Sequence, residues 1–308
     1  PKPTTNFLKR SSTAASISAT AALEHLKNNR ALFGLLVLRR LPQRLREPIA
    51  TAASNVNGGP LDTVSAVGKA VLGRTDELKS QARSLLGKRG SDRKIIDYAR
   101  VFIALGDLET AEWLLDRVRP NTRGLVAARA WVSWTRGDME RSVELMKTAQ
   151  RERKTVERWR SELHSFQGAM PHLRSVDDYQ PRNERVLHVL TNSLPHTPSG
   201  YAQRSHSIML ALEELGWDLS AVTRIGWPIT TGALLADSQD FVDGIAYQRL
   251  LPQQLETHFS ERLQQNAEML LQHVLWKRPA LLHTTTHWTN AVVVQAVANA
   301  VGIPWVYE

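Results

Sequence analysis

The stretch from Arg185 to Ala202 constrains the fold more than any other. Val186-Leu187-His188-Val189-Leu190 is an apolar run with β-branched residues, Thr191 to Ser199 is a polar loop, and Gly200 opens a segment with helical spacing to Leu215. A buried strand feeding a glycine-opened helix is the first step of a parallel α/β layer, where a helix carries the chain back across the sheet. Backbone N–H groups at such a helix start can face a phosphate or a sugar. The dinucleotide fingerprint G-x-G-x-x-G is absent. The alternation then continues. Strands are predicted at Asp218–Arg224, in the turn-and-strand Asp243–Leu250, at Ala280–His283 and from Ile303 to Glu308. Helices are predicted at Leu255–Trp276 and Ala291–Ala300, with loops at Gly226–Asp240 and Thr284–Asn290. Residues 182–308 therefore read as a Rossmann-like, doubly wound parallel sheet.

The first part reads as all-α. Residues 1 to 16 are small and polar and are expected as a loose arm. Ser18 to Arg46 has helical spacing through Ala22, Leu26, Phe33, Leu36 and Leu45, with Pro42 and Pro48 marking its end. Residues 53–60, rich in Asn and Gly, read as a linker. Helices are expected near 62–72 and 75–86, then a basic, glycine-punctuated break at 87–93. A repeat follows: Ala99 to Ala111 matches Ala130 to Ser142, each around a Gly-Asp pair, Gly106-Asp107 and Gly137-Asp138. Glycine there would end one helix in the left-handed region and aspartate would cap the next. This similarity to tetratricopeptide repeats implies a helical-repeat region; a plain pair of helical hairpins fits the same pattern. A very basic helix is expected at 151–160 and a connector at 168–181. The organisation is then a basic helical arm with helices at 1–92, a helical-repeat region at 93–170 and the α/β lobe at 182–308.

Charge follows this division. The chain carries a formal net charge of +9, yet residues 181–308 hold 8 basic and 11 acidic side chains, so the surplus sits in the helical part. A basic surface of that kind attracts anionic lipid, polyanionic glycans or nucleic acid, or is a solvated helical face. Nucleic acid is disfavoured, because no aromatics are interleaved with the basic residues and no recognised motif occurs. The apolar run Leu32–Leu38 followed by Arg39, Arg40, Arg44 and Arg46 reads either as a membrane-surface segment or as a core helix with charged ends. There are no cysteines, which excludes disulfides and thiolate metal sites. No apolar run reaches the roughly 18 residues of a membrane span. The chain starts at Pro1 and stops at Glu308 directly after an apolar strand, as an excerpt of a longer protein would.

In an open parallel sheet, ligands bind beyond the carboxyl ends of the strands. Three loops fall there, 191–200, 224–229 and 284–290, and their candidates are Asn192, His196, Ser199, Gly200, Arg224, His287 and Asn290. Small residues at 199 and 200 let backbone approach a ligand, and Gly200 is also a candidate for positive φ. His283 is read as structural and His188 as a satisfied core histidine. No metal site is expected, because no His-x-x-x-His pair has a supporting carboxylate.

Several of these motifs resemble the amino-terminal lobe of family-four retaining glycosyltransferases of the GT-B fold. The family's "ILHV" strand, "S-x-P…GGxA-x-R" loop and following helix correspond to Val186–Val189, Ser193, Pro195, Ser199-Gly200 and Arg204, with Ser199 replacing the first glycine. The family's "DGVxYHRL" is similar to Asp243–Leu250. Its "PDVVHAASNYxNALAA…LGIPFVYEVRG" matches Pro279, His283, Asn290-Ala291, Gly302-Ile303-Pro304 and Val306-Tyr307-Glu308. The resemblance covers about the last 125 residues. It implies transfer of a sugar from a nucleotide-sugar donor, with retention, to a surface-polysaccharide or glycolipid acceptor. This chain would supply the acceptor-side lobe. His287 would be the catalytic candidate, as a proton-sharing or hydroxyl-binding group, and the other six residues would bind substrate. No cofactor beyond the donor and no metal is implied. The family's second lobe, with its "E-x7-E" carboxylates, has no counterpart, so this stretch alone is expected to be inactive. The expected setting is cytoplasmic, peripheral at the inner membrane face, with a membrane surface or protein partner on the basic helices. The rival reading is a non-catalytic helical-repeat adaptor with a degenerate sugar-binding lobe.

Overall fold

The computed structural model describes residues 3–28, 30–56, 62–148 and 153–308. Residues 57–60 of the predicted linker and 151–152 of the basic helix lie outside the described residues. The chain is α/β and divides into two compact units, one made of the chain up to Ala22 with His164–Glu308, the other of Leu23–Leu163.

The described residues form thirteen α-helices in chain order: α1 (Pro3–Asn28), α2 (Arg30–Arg40), α3 (Gln43–Ser54), α4 (Asp62–Val71), α5 (Thr75–Ser84), α6 (Asp92–Leu105), α7 (Leu108–Leu115), α8 (Leu125–Arg136), α9 (Met139–Thr148), α10 (Arg153–Phe166), α11 (Gly200–Glu214), α12 (Phe259–Lys277) and α13 (Trp288–Val301). In the helical unit, Leu35, Ile95, Ile96, Phe102, Leu114 and Leu125 share one core. Leu35 is buried, so the run 32–38 contributes to that core. A second core is aromatic: Trp159 is buried, stacked on Trp134 and edge-on to Trp131, with ring centroids 4.7 Å apart in both pairs. The Gly-Asp pairs do what their chemistry requires. Gly106 (φ 83°) and Gly137 (φ 89°) end α6 and α8 in the left-handed region. The carboxylates of Asp107 and Asp138 then accept from the N–H groups of Thr110 (3.1 Å) and Arg141 (3.2 Å).

Three sequence expectations are corrected. Residues 3–16 are part of α1, not a loose arm, and Ala14 and Ile17 are buried. Burial of those two side chains holds a polar stretch that composition alone would leave loose. The span 18–46 is broken into α1, α2 and the start of α3, and α3 runs on to Ser54, shortening the linker. Pro48 lies inside α3. It removes the single hydrogen bond to the Arg44 carbonyl, and the helix continues around that gap.

The other unit is built on six strands: β1 (Arg182–Leu190), β2 (Asp218–Thr223), β3 (Gln239–Val242), β4 (Ile245–Arg249), β5 (Pro279–Thr284) and β6 (Trp305–Tyr307). Their order is β3-β4-β2-β1-β5-β6, all parallel except the edge pair β3/β4. β3 falls at the end of the segment expected as a loop. Alternate residues of β1 enter two cores: Val186 and Leu190 pack with Met209 of α11, Leu187 and Val189 with α12 and α13. The sheet is thus covered on both faces. The chain leaves β1 toward β2 and returns on the other side to β5, so the strand order reverses between β1 and β5. In parallel sheets such a reversal is where ligands are bound beyond the carboxyl ends of the strands. No helix among the described residues is long and apolar enough to cross a membrane.

Candidate functional site

Thr191, the first residue after β1, ties together the loops at the carboxyl rim. Its hydroxyl donates to the Thr286 carbonyl and accepts from Asn290 Nδ2 at 2.9 Å. Its own carbonyl accepts from Arg224 Nε at 3.2 Å. The register explains the meeting: Val189 pairs with Thr284 and Leu190 with Thr223, so β1, β2 and β5 end at one level. Asn192 Oδ1 accepts from Ser199 Oγ at 3.4 Å, and Ser199 caps α11 by accepting from the Ala202 N–H at 3.3 Å. Gly200 follows as the first helical residue.

The structure therefore brings together Asn192, Ser199, Gly200, Arg224, His287 and Asn290. It pairs His196 with Asp240, Nε2 lying 3.3 Å from Oδ2, and sets its ring roughly perpendicular to Trp227 of the 224–229 loop. Gly200 does not need a positive φ, and a Cβ there would meet nothing within 4 Å. Its value at the rim is the open space above it. His287 is exposed and is the N-cap of α13: Nδ1 faces the Thr289 N–H at 3.5 Å, leaving Nε2 for another partner.

Two side chains at this rim keep unused polarity. Asn290 is buried, yet its Oδ1 has no partner. Thr191 donates to a carbonyl and so must accept from the Asn290 amide nitrogen, which fixes Oδ1 as the orphan. An unsatisfied buried acceptor costs about 1–3 kcal/mol, which a ligand donor or a water would recover. Arg224 is largely enclosed. Burial, with the neighbouring Arg262 charge, holds its pKa below the ordinary guanidinium value.

Below the rim lies a pair that does not behave as a satisfied core histidine would. His188 and His283 meet Nδ1 to Nδ1 at 3.1 Å, one donating and the other accepting, and His188 Nε2 is buried without a partner. Burial, with the His283 charge, pushes the His188 pKa down to about 3. Burial also lowers that of His283, whose Nε2 is 3.6 Å from Glu308.

Sequence reasoning missed Thr191 and the support under the loop. Arg249 on β4 is fully buried and bonds Asp240 through Nε (3.1 Å) and Nη2 (2.8 Å). It also donates to Ser193 Oγ (2.9 Å) and the Leu194 carbonyl (3.1 Å), with its guanidinium 4.6 Å from the Trp227 ring centre. One signal for Thr191 was available, its place directly after a central strand. Concavities are present away from the rim, beside α3 (about 800 Å³) and along α12 (about 640 Å³). Among the described residues, no group of three His, Asp or Glu side chains is arranged to hold a metal ion. Comparison with known protein families, curated proteins and solved structures finds no significant match to this chain.

Proposed function

We propose that residues 182–308 are the acceptor-side lobe of a retaining GT-B glycosyltransferase, preceded by a tetratricopeptide-like docking region. The donor would be a nucleotide sugar and the acceptor a surface polysaccharide or glycolipid. The observation that carries this reading is the convergence of the loops after β1, β2 and β5 on Thr191, at the point where strand order reverses. Sugar hydroxyls need closely spaced donors and acceptors on a rigid rim. The orphan Asn290 Oδ1, the free nitrogen of His287 and the N–H groups of the first turn of α11 supply both kinds. His287 would bind or share a proton with a hydroxyl through Nε2, because Nδ1 is engaged in the helix cap. Arg224 would face anionic groups.

The test is a thermal-shift screen of nucleotide sugars and glycans, followed by product analysis with the complete protein. Gly200→Val is the informative variant. Its Cβ has room inside the protein, so the melting temperature should hold within about 2 °C, while a branched side chain occupies the space above the first turn of α11. Transfer should fall at least about 100-fold, the cost of losing roughly 3 kcal/mol of ligand contact. Wild-type turnover in Gly200→Val would remove this loop from the site. Glycan binding without any product would favour the non-catalytic adaptor.

A further inference from the structure

Helix α3 is amphipathic the wrong way round for a helix packed on a protein core. Leu45, Pro48, Ile49 and Ala52, spaced i, i+3, i+4 and i+7, are all exposed, Leu45 by 54% and Ile49 by 44%. Its opposite side carries the small residues Ala50 and Ser54, both buried. That side is pinned to α4 with no freedom to rotate. A Cβ on Gly68 would lie 2.6 Å from the Ser54 nitrogen and 2.7 Å from the Ala50 oxygen, and Ser65 Oγ donates to the Ser54 carbonyl at 2.8 Å. The backbones touch, so the large apolar side chains must face outward.

The charge around this face is one-sided. Residues 37–49 carry Arg39, Arg40, Arg44 and Arg46 against a single carboxylate, Glu47, whose side chain accepts from Gln43 at 3.0 Å. Arg39, Arg40 and Arg44 are exposed. An apolar stripe on a surface helix, bordered by arginines, matches the boundary of an anionic bilayer. There aliphatic groups enter the acyl region and guanidinium groups meet lipid phosphates. We propose that the α2–α3 corner of the helical unit is a docking face for an anionic lipid surface, with α3 lying in the plane of the interface. The proposal is independent of the reading of the sheet unit.

The experiment is co-sedimentation of the chain with vesicles of phosphatidylcholine alone or mixed with phosphatidylglycerol, at low and high salt. Three exposed variants are compared, each checked for fold by circular dichroism: Leu45→Gln with Ile49→Gln, Arg39→Gln with Arg40→Gln and Arg44→Gln, and a charge-matched control, Arg83→Gln with Lys88→Gln and Arg89→Gln. The expected result is binding to phosphatidylglycerol vesicles only, weakened by salt. The apolar pair should cost about tenfold or more in partitioning. The arginine triple should cost on the order of 100-fold, at about 1 kcal/mol per basic residue, and the control less than about twofold. Equal loss in the control, wild-type binding by the apolar pair, or no preference for anionic vesicles would overturn the proposal. So would a dimer in light scattering that the apolar pair dissolves while vesicles capture nothing.

Discussion

At position 188, β1 buries an imidazole between Ala221 of β2 and His283 of β5, and the consequence is felt in acid. The folded pKa of about 3 lies below the ordinary 6.5. Between those values the unfolded chain binds a proton that the native sheet refuses. Stability from this group is therefore complete above pH 6.5 and is lost as pH falls toward 3, at up to about 1.4 kcal/mol per pH unit. His283 shifts in the same direction. Denaturant unfolding should show the sheet unit about 2 kcal/mol less stable at pH 5 than at pH 7 from His188 alone. His188→Leu should remove that part of the dependence. An unfolding midpoint that is equal at the two pH values in the parent chain would contradict the burial of a neutral imidazole here.

At the scale of elements, the loop after β1 is held from beneath by an arginine of a different strand. Arg249 satisfies Asp240 with two bonds and spends two more on Ser193 and Leu194. Lysine keeps the charge but not the fork. Arg249→Lys should destabilise the sheet unit by about 2 kcal/mol, and Arg249→Ala by about 3–5, since the alanine leaves Asp240 facing an emptied cavity. In both, amide exchange of residues 193–199 should accelerate more than that of β1. Unchanged exchange in this loop would reduce Arg249 to a core ion pair. None of this was legible in the sequence, because Arg249 and Ser193 stand 56 positions apart and nothing local marks them as partners. The elements themselves were more readable. β1, β2, β4 and β5 are apolar runs between turn signals, and the Gly-Asp pairs announce their turns because only glycine enters the left-handed region freely. β3 escaped because Gln239-Asp240-Phe241-Val242 is short, half polar and an edge strand. The rim loops were placed by the rule for parallel sheets, but the pairing of His196 with Asp240 was not legible, because the two stand far apart in the chain.

At the scale of the whole molecule, the two units build their cores from stretches that composition ranks differently. Hydrophobic patterning located the helical unit's core, and the sheet unit's two layers followed from its strands. What patterning could not supply is the contribution of α1 to the sheet unit. Ala14 and Ile17 are buried with Ile225, Ile229, Ala236 and Leu255, in a cluster separate from both faces of the sheet. Two apolar residues among serines and alanines carry no signal until their partners, some 200 positions later, are known. Ile17 is fully buried, so Ile17→Ala removes its apolar contacts and leaves a cavity, which together should cost the sheet unit about 2–5 kcal/mol. Ala15→Ser, on the exposed side of the same helix, should change stability by less than about 0.5 kcal/mol. The helical unit has its own core of Ile95, Phe102 and Leu114, so hydrogen exchange in α6 should not respond to Ile17→Ala, whereas exchange around 225–230 should accelerate. Parent-like stability in Ile17→Ala would detach α1 from the sheet unit. Equal loss of protection in α6 would mean that the two cores, though built separately, unfold as one.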